Sequence, residues 1–375
     1  MTQSMGKRIG AAALCLLGIA AASGPAMAQA RPVTDCPLRD RPFSLESPLI
    51  DVLLNPQARR LTEAATGHDF SKTPPEFTGT TPPTFAAILT VRKFSAFIGV
   101  PEAVLPALDR QLGALPVTAE DRKARCQRYD NDRPVVALPR DGKPRLLLFE
   151  KIVGFKDTPS VNAAHTAFLA MAQRKGWHIV VTDKAGAFNP GTLRQVDAVI
   201  WNNISGDVLT LAQRKAFRSF LERGGGFVGV HGTAGDPAYF WDWYPDTLLG
   251  VRFTGHPMSP QLQEARVAVD KAHPLAKALP TEWRMTDEWY SFSTNPRSIG
   301  AKVLLTLDET TYTPVGIKKE DLRMGDHPLA WTNCIGKGRM FYSAIGHAPE
   351  TYSHPQNVTM LEAAIDWAAN KHSAC

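Results

Sequence analysis

The sequence lacks the short motifs that mark several large classes of enzyme. It contains no Gly-x-Ser-x-Gly elbow, which disfavours a serine ester hydrolase. No glycine-rich loop is followed by Lys and Ser or Thr, and no Gly-x-Gly-x-x-Gly opens a helix after the first predicted strand. We therefore expect no nucleotide cofactor.

Excess charge is also small. The 375 residues carry a formal net charge of +6, and two of the positive charges are Lys7 and Arg8. Because residues 1–28 contain no acidic residue, the chain after residue 28 carries +4. The basic residues are scattered rather than clustered, so we expect no nucleic-acid partner.

Long apolar runs are absent after the first 28 residues, so we expect no membrane span. Within those residues, Lys7 and Arg8 precede a short apolar stretch over Ile9–Ala22, and Ala26-Met27-Ala28 follows as a cleavage site. This pattern predicts a Sec-type signal peptide cut after Ala28. We therefore expect a periplasmic or secreted protein.

Cysteine is scarce, with five residues in the chain and four after the predicted cleavage site, Cys36, Cys126, Cys334 and Cys375. No Cys-x-x-Cys or Cys/His cluster suggests a structural zinc site. An even number of cysteines in an exported chain favours disulfides, and three pairings are open. We favour Cys36 with Cys126, because that bond would join the two ends of the N-terminal segment.

Composition divides the remaining chain into two parts. Residues 29–140 are rich in Pro, Arg and Leu with helical periodicity, and they predict a small helical N-terminal extension. Residues 144–371 alternate apolar strands with amphipathic helices, which predicts an α/β domain with a doubly wound parallel sheet. The predicted strands include Leu146–Phe149, His178–Val181, Ala198–Trp201 and Phe227–Val230, and the predicted helices include Asn162–Lys175, Asp207–Arg223 and Pro355–Asn370.

His231 is the most informative residue of this domain. The glycines at 224–226 end a helix, a short apolar strand follows, and the strand stops at His231-Gly232. A side chain on such a turn at the carboxyl end of a central parallel strand faces the crevice where α/β folds bind ligands. An imidazole there indicates acid/base or metal chemistry, and the alternative is a histidine that only bonds a loop carbonyl.

Other polar residues follow strands or turns in the same way. Gly346-His347 repeats the pattern of His231, and Asn203 follows the third predicted strand. His256 and His327 lie in Gly-His-Pro and Asp-His-Pro turns, where each is either part of a site or a plain turn residue. We expect His347 to lie in the crevice and Asn203 and His327 to contact substrate.

Carboxylates and aromatics occur together in Asp287-Glu288-Trp289-Tyr290. Carboxylates accept hydrogen bonds from sugar hydroxyls, and rings stack on apolar sugar faces, so this segment suits carbohydrate recognition. Burial against aromatics can also raise a carboxyl pKa for acid/base work. Trp243 and Tyr244 follow the His231 turn and either wall a pocket or pack in the core.

Together these motifs resemble the ThuA-like (trehalose-utilisation) family over residues 144–371. The resemblance is carried by segments that occur in one order: Gly154-Phe155, Asn203 with Gly206-Asp207-Val208-Leu209, the glycines and strand ending at His231, Trp243-Tyr244, Gly255-His256-Pro257, Asp287-Glu288-Trp289-Tyr290, Leu307 to Tyr312, Asp326 to Trp331, and Gly346-His347.

The resemblance implies a flavodoxin-like, class I glutamine amidotransferase-like fold and a role in sugar utilisation, through disaccharides or 3-keto-sugars. Amidotransferases carry a nucleophilic Cys on the elbow. The resemblance places His231 of this chain at that position. Without a thiolate nucleophile, amidotransferase activity is disfavoured. Where family members often have a His after Gly-Phe, this chain has Lys156-Asp157, which puts the role of that loop in doubt.

Two functions remain open from the sequence. The first is an enzyme acting on a small carbohydrate by hydrolysis, elimination or isomerisation, with His231, Glu288 and His347 as catalytic residues. His231, His256 and His347 would hold any divalent, zinc-like metal, and the expected substrate-binding residues are Asn203, Trp243, Tyr244, Asp287, Tyr290 and His327. The second function is a non-catalytic carbohydrate-binding protein on the same fold, which would not need convergent histidines.

Overall fold

A nine-stranded sheet forms the centre of the computed structural model, which describes residues 1–2, 32–373 and 375. Its strands alternate with helices along the first half of the domain and with loops along the second. With two further strands of a small separate sheet, the strands are β1 (Arg145–Phe149), β2 (His178–Thr182), β3 (Ala198–Asn202), β4 (Gly226–Val230), β5 (Phe253–Gly255), β6 (Leu262–Val269), β7 (Glu282–Glu288), β8 (Ser291–Phe292), β9 (Lys302–Leu307), β10 (Pro328–Ile335) and β11 (Gly338–Ser343).

The order of the large sheet is β2-β1-β3-β4-β11-β10-β9-β6-β7, and β5 pairs with β8 separately. The first five strands in this order are parallel, and the remaining four are antiparallel to their neighbours. The parallel strands β3, β4 and β11 are buried along their whole length, as expected for strands covered on both faces. The chain therefore has a mixed α/β fold with a largely parallel centre.

The helices that cover this sheet follow the apolar periodicity of the sequence. The helix Thr158–Lys175 ends before Gly176, whose φ of 70° is the left-handed conformation that glycine adopts without a Cβ clash. The helices of the described residues are α1 (Leu49–Leu54), α2 (Pro56–Thr66), α3 (Pro75–Thr78), α4 (Val91–Phe97), α5 (Leu105–Gly113), α6 (Ala119–Cys126), α7 (Thr158–Lys175), α8 (Pro190–Leu193), α9 (Leu211–Glu222) and α10 (Pro355–Ala369).

Two predicted helix starts were wrong, since α7 begins at Thr158 and not at Asn162, and α9 starts later than predicted. The sequence placed the start of α9 at Asp207, but Thr210 is the N-cap, and its side chain and that of Gln213 satisfy each other's backbone N–H groups. The Asp207 carboxylate instead accepts a hydrogen bond from the hydroxyl of Tyr129 at 2.8 Å and pairs with Arg214. Asp207 thus connects the segment before β1 to the α/β part.

Residues 32–375 cluster as one compact unit, which includes helices α1–α6. The predicted signal peptide, residues 1–28, lies outside the described residues except for Met1 and Thr2. Within the described part of the chain, no helix has both the length and the apolar character needed to cross a membrane.

Two disulfides resolve the open question of cysteine pairing. Cys36 is bonded to Cys126, the pairing that the sequence favoured, and Cys334 is bonded to Cys375. The first bond spans 90 residues and packs with the buried ring of Tyr129. It ties the start of the described segment to the end of α6.

Candidate functional site

The site begins where the central strands β3 and β4 end. Asn203 follows β3 with a φ of 52°, and His231 follows β4 with a φ of 37°. Positive φ is uncommon for residues with a Cβ, and strained backbone of this kind often accompanies function. Gly232 comes next, and a Cβ there would lie 3.2 Å from the Asn203 carbonyl oxygen. The predicted tight turn at His231 is therefore present.

Hydrogen bonds fix the orientation of the His231 ring. Its Nδ1 lies 2.8 Å from the carbonyl oxygen of Ala344, so Nδ1 donates there. The hydroxyl of Tyr342 donates to the His231 carbonyl oxygen at 2.8 Å. The ring of Tyr290 stacks on the imidazole with 4.1 Å between centroids. The ring therefore bonds a loop carbonyl through Nδ1, as the alternative hypothesis predicted, but this bond leaves Nε2 available for another contact.

Glu288, the last residue of β7, faces the other nitrogen of His231. Oε2 of Glu288 lies 3.4 Å from Nε2 of His231 and 3.4 Å from Nδ1 of His347, and Oε1 lies 3.1 Å from Nδ1 of His256. The side chain of Glu288 is 2% exposed. We call these four residues the His–Glu cluster. Three histidines distant in sequence thus converge on one buried carboxylate.

The cluster shifts the pKa values of its members in different directions. Burial raises the pKa of the Glu288 carboxyl, but hydrogen bonding and charge from His231, with charge from His256 and His347, outweigh burial and lower it to about 2. Burial lowers the pKa of His231, but the Glu288 carboxylate reverses this and raises it. At His347, burial prevails over the attraction of Glu288 and lowers the pKa. The arrangement favours an ionised Glu288 beside a protonated His231 and a neutral His347.

Gln261 is a cluster contact that sequence reasoning missed. Its side-chain nitrogen donates to Oε1 of Glu288 at 2.5 Å and lies 3.4 Å from Nε2 of His347. Gln261 immediately precedes β6, on the chain segment that carries His256. No residue pattern near Gln261 marks it, because its place depends on the pairing of β6 with β7.

Asp287 lies beside the cluster and holds the loop that carries His347. Its carboxylate accepts hydrogen bonds from the backbone N–H groups of Gly346, His347 and Ala348 at 2.6, 3.0 and 2.8 Å. Burial raises the pKa of Asp287 to about 6 although His231 and these donors oppose the shift. Sequence reasoning made Asp287 a substrate-binding residue, whereas the structure engages both of its oxygens with this loop.

His231, Glu288 and His347 also form a potential metal-binding group. One ligand atom from each lies within 4.8 Å of the others, and this is the group of that kind found among the described residues. His256, which the sequence also proposed as a ligand, contacts Glu288 but is not a member of the group. Nε2 of His231 is buried and faces Oε2 of Glu288 at 3.4 Å without a closer hydrogen-bond partner, so its lone pair is placed to coordinate a cation when the ring is neutral.

Two other residues predicted to bind substrate, Asn203 and His327, form hydrogen bonds with residues that surround the cluster. Asn203 donates to the hydroxyl of Tyr352 at 2.9 Å and accepts from the backbone N–H of Gly232 at 3.1 Å. His327 is buried, with Nδ1 at 2.9 Å from Glu309 and Nε2 at 2.8 Å from the carbonyl oxygen of Tyr290. His327 therefore holds the residue whose ring stacks on His231.

Trp243 and Tyr244 lie in an aromatic layer of the core. Trp243 stacks on Trp241, with ring centroids 4.9 Å apart, and Tyr244 stacks on Trp201 at 5.3 Å. The Tyr244 hydroxyl donates to the carbonyl oxygen of Thr233 at 2.6 Å. Of the aromatic residues predicted to bind substrate, Tyr290 alone has a ring contact with the imidazoles of the cluster among the described residues.

Comparison with known proteins points to one family. A family model described as ThuA, trehalose utilisation, matches residues 145–368. A solved ThuA-like protein from Bacteroides uniformis is 28% identical over 61% of this chain and 94% of its own, with a TM-score of 0.52. A ThuA-like protein from Parabacteroides merdae is 19% identical over 61% of this chain and 90% of its own, with a TM-score of 0.44. No curated protein matches the chain.

Proposed function

The chain belongs to the ThuA family, and from that membership and the His–Glu cluster we propose that it is an enzyme of sugar utilisation. Its substrate is a disaccharide or a 3-keto-sugar, and its reaction is a hydrolysis, elimination or isomerisation. The observation that carries the proposal is the convergence of His231, His256 and His347 on the buried carboxylate of Glu288. A protein that only binds sugars has no need for three imidazoles around one carboxylate.

The chain's own residues supply a base and a compensating charge. His347 has a lowered pKa and its side chain is 17% exposed, so it is the neutral base that takes a proton from the sugar. His231 is 4% exposed with a raised pKa and carries positive charge beside Glu288. Groups whose environments separate their pKa values in this way divide acid and base roles between them.

We further propose that the cluster binds a divalent, zinc-like cation through His231, Glu288 and His347. Two imidazoles and a carboxylate are a donor set that zinc accepts, and Nε2 of His231, which faces the Glu288 carboxylate without a closer partner, fits a ligand role. Such a cation, when bound, polarises a carbonyl oxygen and lowers the pKa of water. With the cation bound, His231 and His347 would serve as neutral ligands in place of the charge and base roles described above, and the positive charge beside Glu288 would be retained.

The proposal extends to the fold subtype and the compartment. The parallel strands run β2-β1-β3-β4-β11, which supports a flavodoxin-like, class I glutamine amidotransferase-like sheet preceded by a helical N-terminal segment. Disulfides Cys36–Cys126 and Cys334–Cys375 support a periplasmic or secreted location, because disulfides persist in oxidising compartments.

Turnover of 3-keto-disaccharides by the purified protein tests the proposal, with metal content measured on the same sample. We expect turnover that Glu288→Gln lowers by about 10²–10⁴-fold. Loss of turnover on chelation would assign His231 and His347 as metal ligands, and turnover that survives chelation would assign them the charge and base roles. His165→Ala is the matched control, because this histidine is 38% exposed and contacts Glu150 instead of the cluster. Sugar binding without any turnover by the wild type would contradict the enzyme and favour the non-catalytic carbohydrate-binding protein.

A further inference from the structure

We propose that Phe77, Phe85 and Phe155 form an aromatic platform that binds the apolar face of a second sugar ring of the substrate. The proposal rests on the proposed function, since it assigns a second ring to the sugar processed at the His–Glu cluster. It also gives the segment before the family domain a part in substrate binding, because Phe77 and Phe85 precede residue 145.

The three rings form a continuous row. Phe77 and Phe85 are stacked, with centroids 5.4 Å apart and planes 15° from parallel, and Phe85 lies 5.0 Å from Phe155. Phe77 is 40% exposed and Phe155 is 42% exposed. Exposed, contiguous apolar surface on a folded protein commonly marks a binding site.

Hydrogen bonds hold the row in place before any ligand arrives. The backbone N–H of Thr84 donates to the Val153 carbonyl oxygen at 3.1 Å, and the N–H of Phe155 donates to the Ser205 hydroxyl at 3.0 Å. Between them, Gly154 lies so close to its neighbours that a Cβ would be 2.3 Å from the Ser205 hydroxyl oxygen. A preformed surface loses little conformational entropy when it binds a ligand.

The loop of Phe155 leads directly to the cluster. Two residues on, Asp157 lies close enough to His347 for its charge to act on that ring. The hydroxyl of Ser160 contacts both the Asp157 carboxylate and the carbonyl oxygen of His347. The platform and the cluster are therefore connected through one chain segment, residues 155–160, and this connection is the basis for assigning them two rings of the same substrate.

The chemistry of the surface favours a sugar ring. Phenylalanine rings stack on the C–H face of a pyranose, while polar groups at the edge bind its hydroxyls. Two such groups flank the rings in sequence, because Glu76 precedes Phe77 and Lys156 follows Phe155, and both are exposed. Exposed charged residues next in sequence to the phenylalanines suit a polyhydroxylated ligand better than a purely apolar one.

Calorimetric titration of the full-length protein with α,α-trehalose and with D-glucose tests the proposal. We expect Phe77→Ala and Phe155→Ala each to raise the Kd for trehalose by about tenfold, the size of one lost ring contact, with little change for glucose. Phe155→Tyr keeps a ring and should restore binding. Phe97→Ala is the matched control, because Phe97 is also exposed, at 55%, but lies outside the row.

Several outcomes would overturn the platform. One is an unchanged Kd for trehalose in both alanine variants. Another is a wild type that fails to bind trehalose or binds glucose as tightly. A third is a shift in oligomeric state in the alanine variants, which would make the row a contact between copies of the chain. Turnover separates the two proposals, since loss of activity in Glu288→Gln with an intact trehalose Kd supports the active site whatever the phenylalanine variants do. Binding that depends on the phenylalanines in a protein without turnover would keep the platform and contradict the enzyme.

Discussion

Nδ1 of His231 donates a hydrogen bond to the carbonyl oxygen of Ala344, and this contact leaves Nε2 facing Glu288. The two ring nitrogens therefore have separate contacts, one that orients the ring and one that the proposed function uses for chemistry. Ala344 directly follows β11, so the strand next to β4 sets the direction of the imidazole. A substitution can therefore remove the nitrogen that faces Glu288 and keep the hydrogen bond to Ala344.

His231→Asn is that substitution. The Asn side-chain amide can still donate to Ala344, and Asn tolerates the positive φ at this position better than most residues. We expect a folded protein with turnover lowered by about 10²-fold or more, because the atom that faces Glu288 is gone. Steady-state kinetics with circular dichroism check this, and undiminished turnover would remove His231 from the mechanism.

Metal titration should separate the ligands from their neighbours. His347→Ala and Glu288→Gln should each weaken zinc binding by roughly 10–100-fold or more, whereas His256→Ala should change it less, since His256 lies outside the group of mutually close ligand atoms. Because the pKa of His231 is raised and its proton must leave before it coordinates, affinity should fall as the pH drops through the neutral range. Competition with a chromophoric chelator at several pH values measures both effects, and equal losses in all three variants would contradict the ligand set.

Asp287→Asn tests the support of the His347 loop. An amide group offers one acceptor oxygen where the carboxylate offers two, so at least one of the three backbone N–H groups loses its partner. We expect the free energy of unfolding to drop by about 1–3 kcal/mol and turnover to fall with it. Urea denaturation measures the first effect, with Asp242→Asn as a control at a carboxylate whose side chain is 83% exposed. A change no larger than in the control would mean that the loop is held by other contacts.

Asp236 should give stability a measurable pH dependence. Burial raises its pKa to about 7, although the Ser205 hydroxyl and the Gly206 N–H donate to it. The folded chain therefore binds a proton that the unfolded chain releases near the ordinary carboxyl pKa of 3.8, so the stabilisation is full below that value and is lost as the pH rises through about 7.

Asp236→Asn keeps the side chain neutral at every pH and should flatten this dependence. Relative to the wild type, the variant should gain stability between about pH 5 and pH 8, as measured by Tm across that range. Parallel curves for the two proteins would show that Asp236 does not titrate in the folded state within this interval.

The two disulfides offer a matched pair of stability tests. Cys36–Cys126 closes 90 residues and Cys334–Cys375 closes 41, so loop-closure entropy predicts a loss of about 4 kcal/mol for each, slightly more for the first. Denaturant unfolding of the double Cys→Ser variants measures this. A much smaller loss for Cys36→Ser with Cys126→Ser would indicate that Arg128–Asp51 and similar buried contacts hold the segment without the bond.

Local sequence patterns predicted the site residues that lie at or just after the ends of strands. His231 and His347 were recognisable because each ends an apolar strand beside glycine, and Glu288 because it lies between a second carboxylate and two aromatics. The strands β1–β4 were predicted within a few residues for the same reason, since continuous apolar runs mark buried parallel strands.

Long-range contacts account for what the sequence did not reveal. Asp287 meets its three N–H donors across about 60 positions of sequence, and Gln261 reaches Glu288 only because β6 pairs with β7. The role of His327 depends on Glu309 and on the Tyr290 carbonyl, neither of which is adjacent to it. Periodicity identifies which face of an element is buried, but it carries no information about which distant loop will meet that face.

β11 lies between β4 and β10 in the sheet, although the residues that it places beside β4 come late in the chain: Tyr342 reaches the His231 carbonyl across 111 positions. β4 is therefore synthesised long before β11, the strand that pairs with one of its edges. A chain that ends at residue 330 contains His231 but lacks Ala344, whose carbonyl oxygen orients the imidazole, and it lacks His347. The His–Glu cluster is therefore incomplete until β11 and the loop that follows it have joined the sheet, and we expect a chain truncated before β11 to lack the proposed activity entirely.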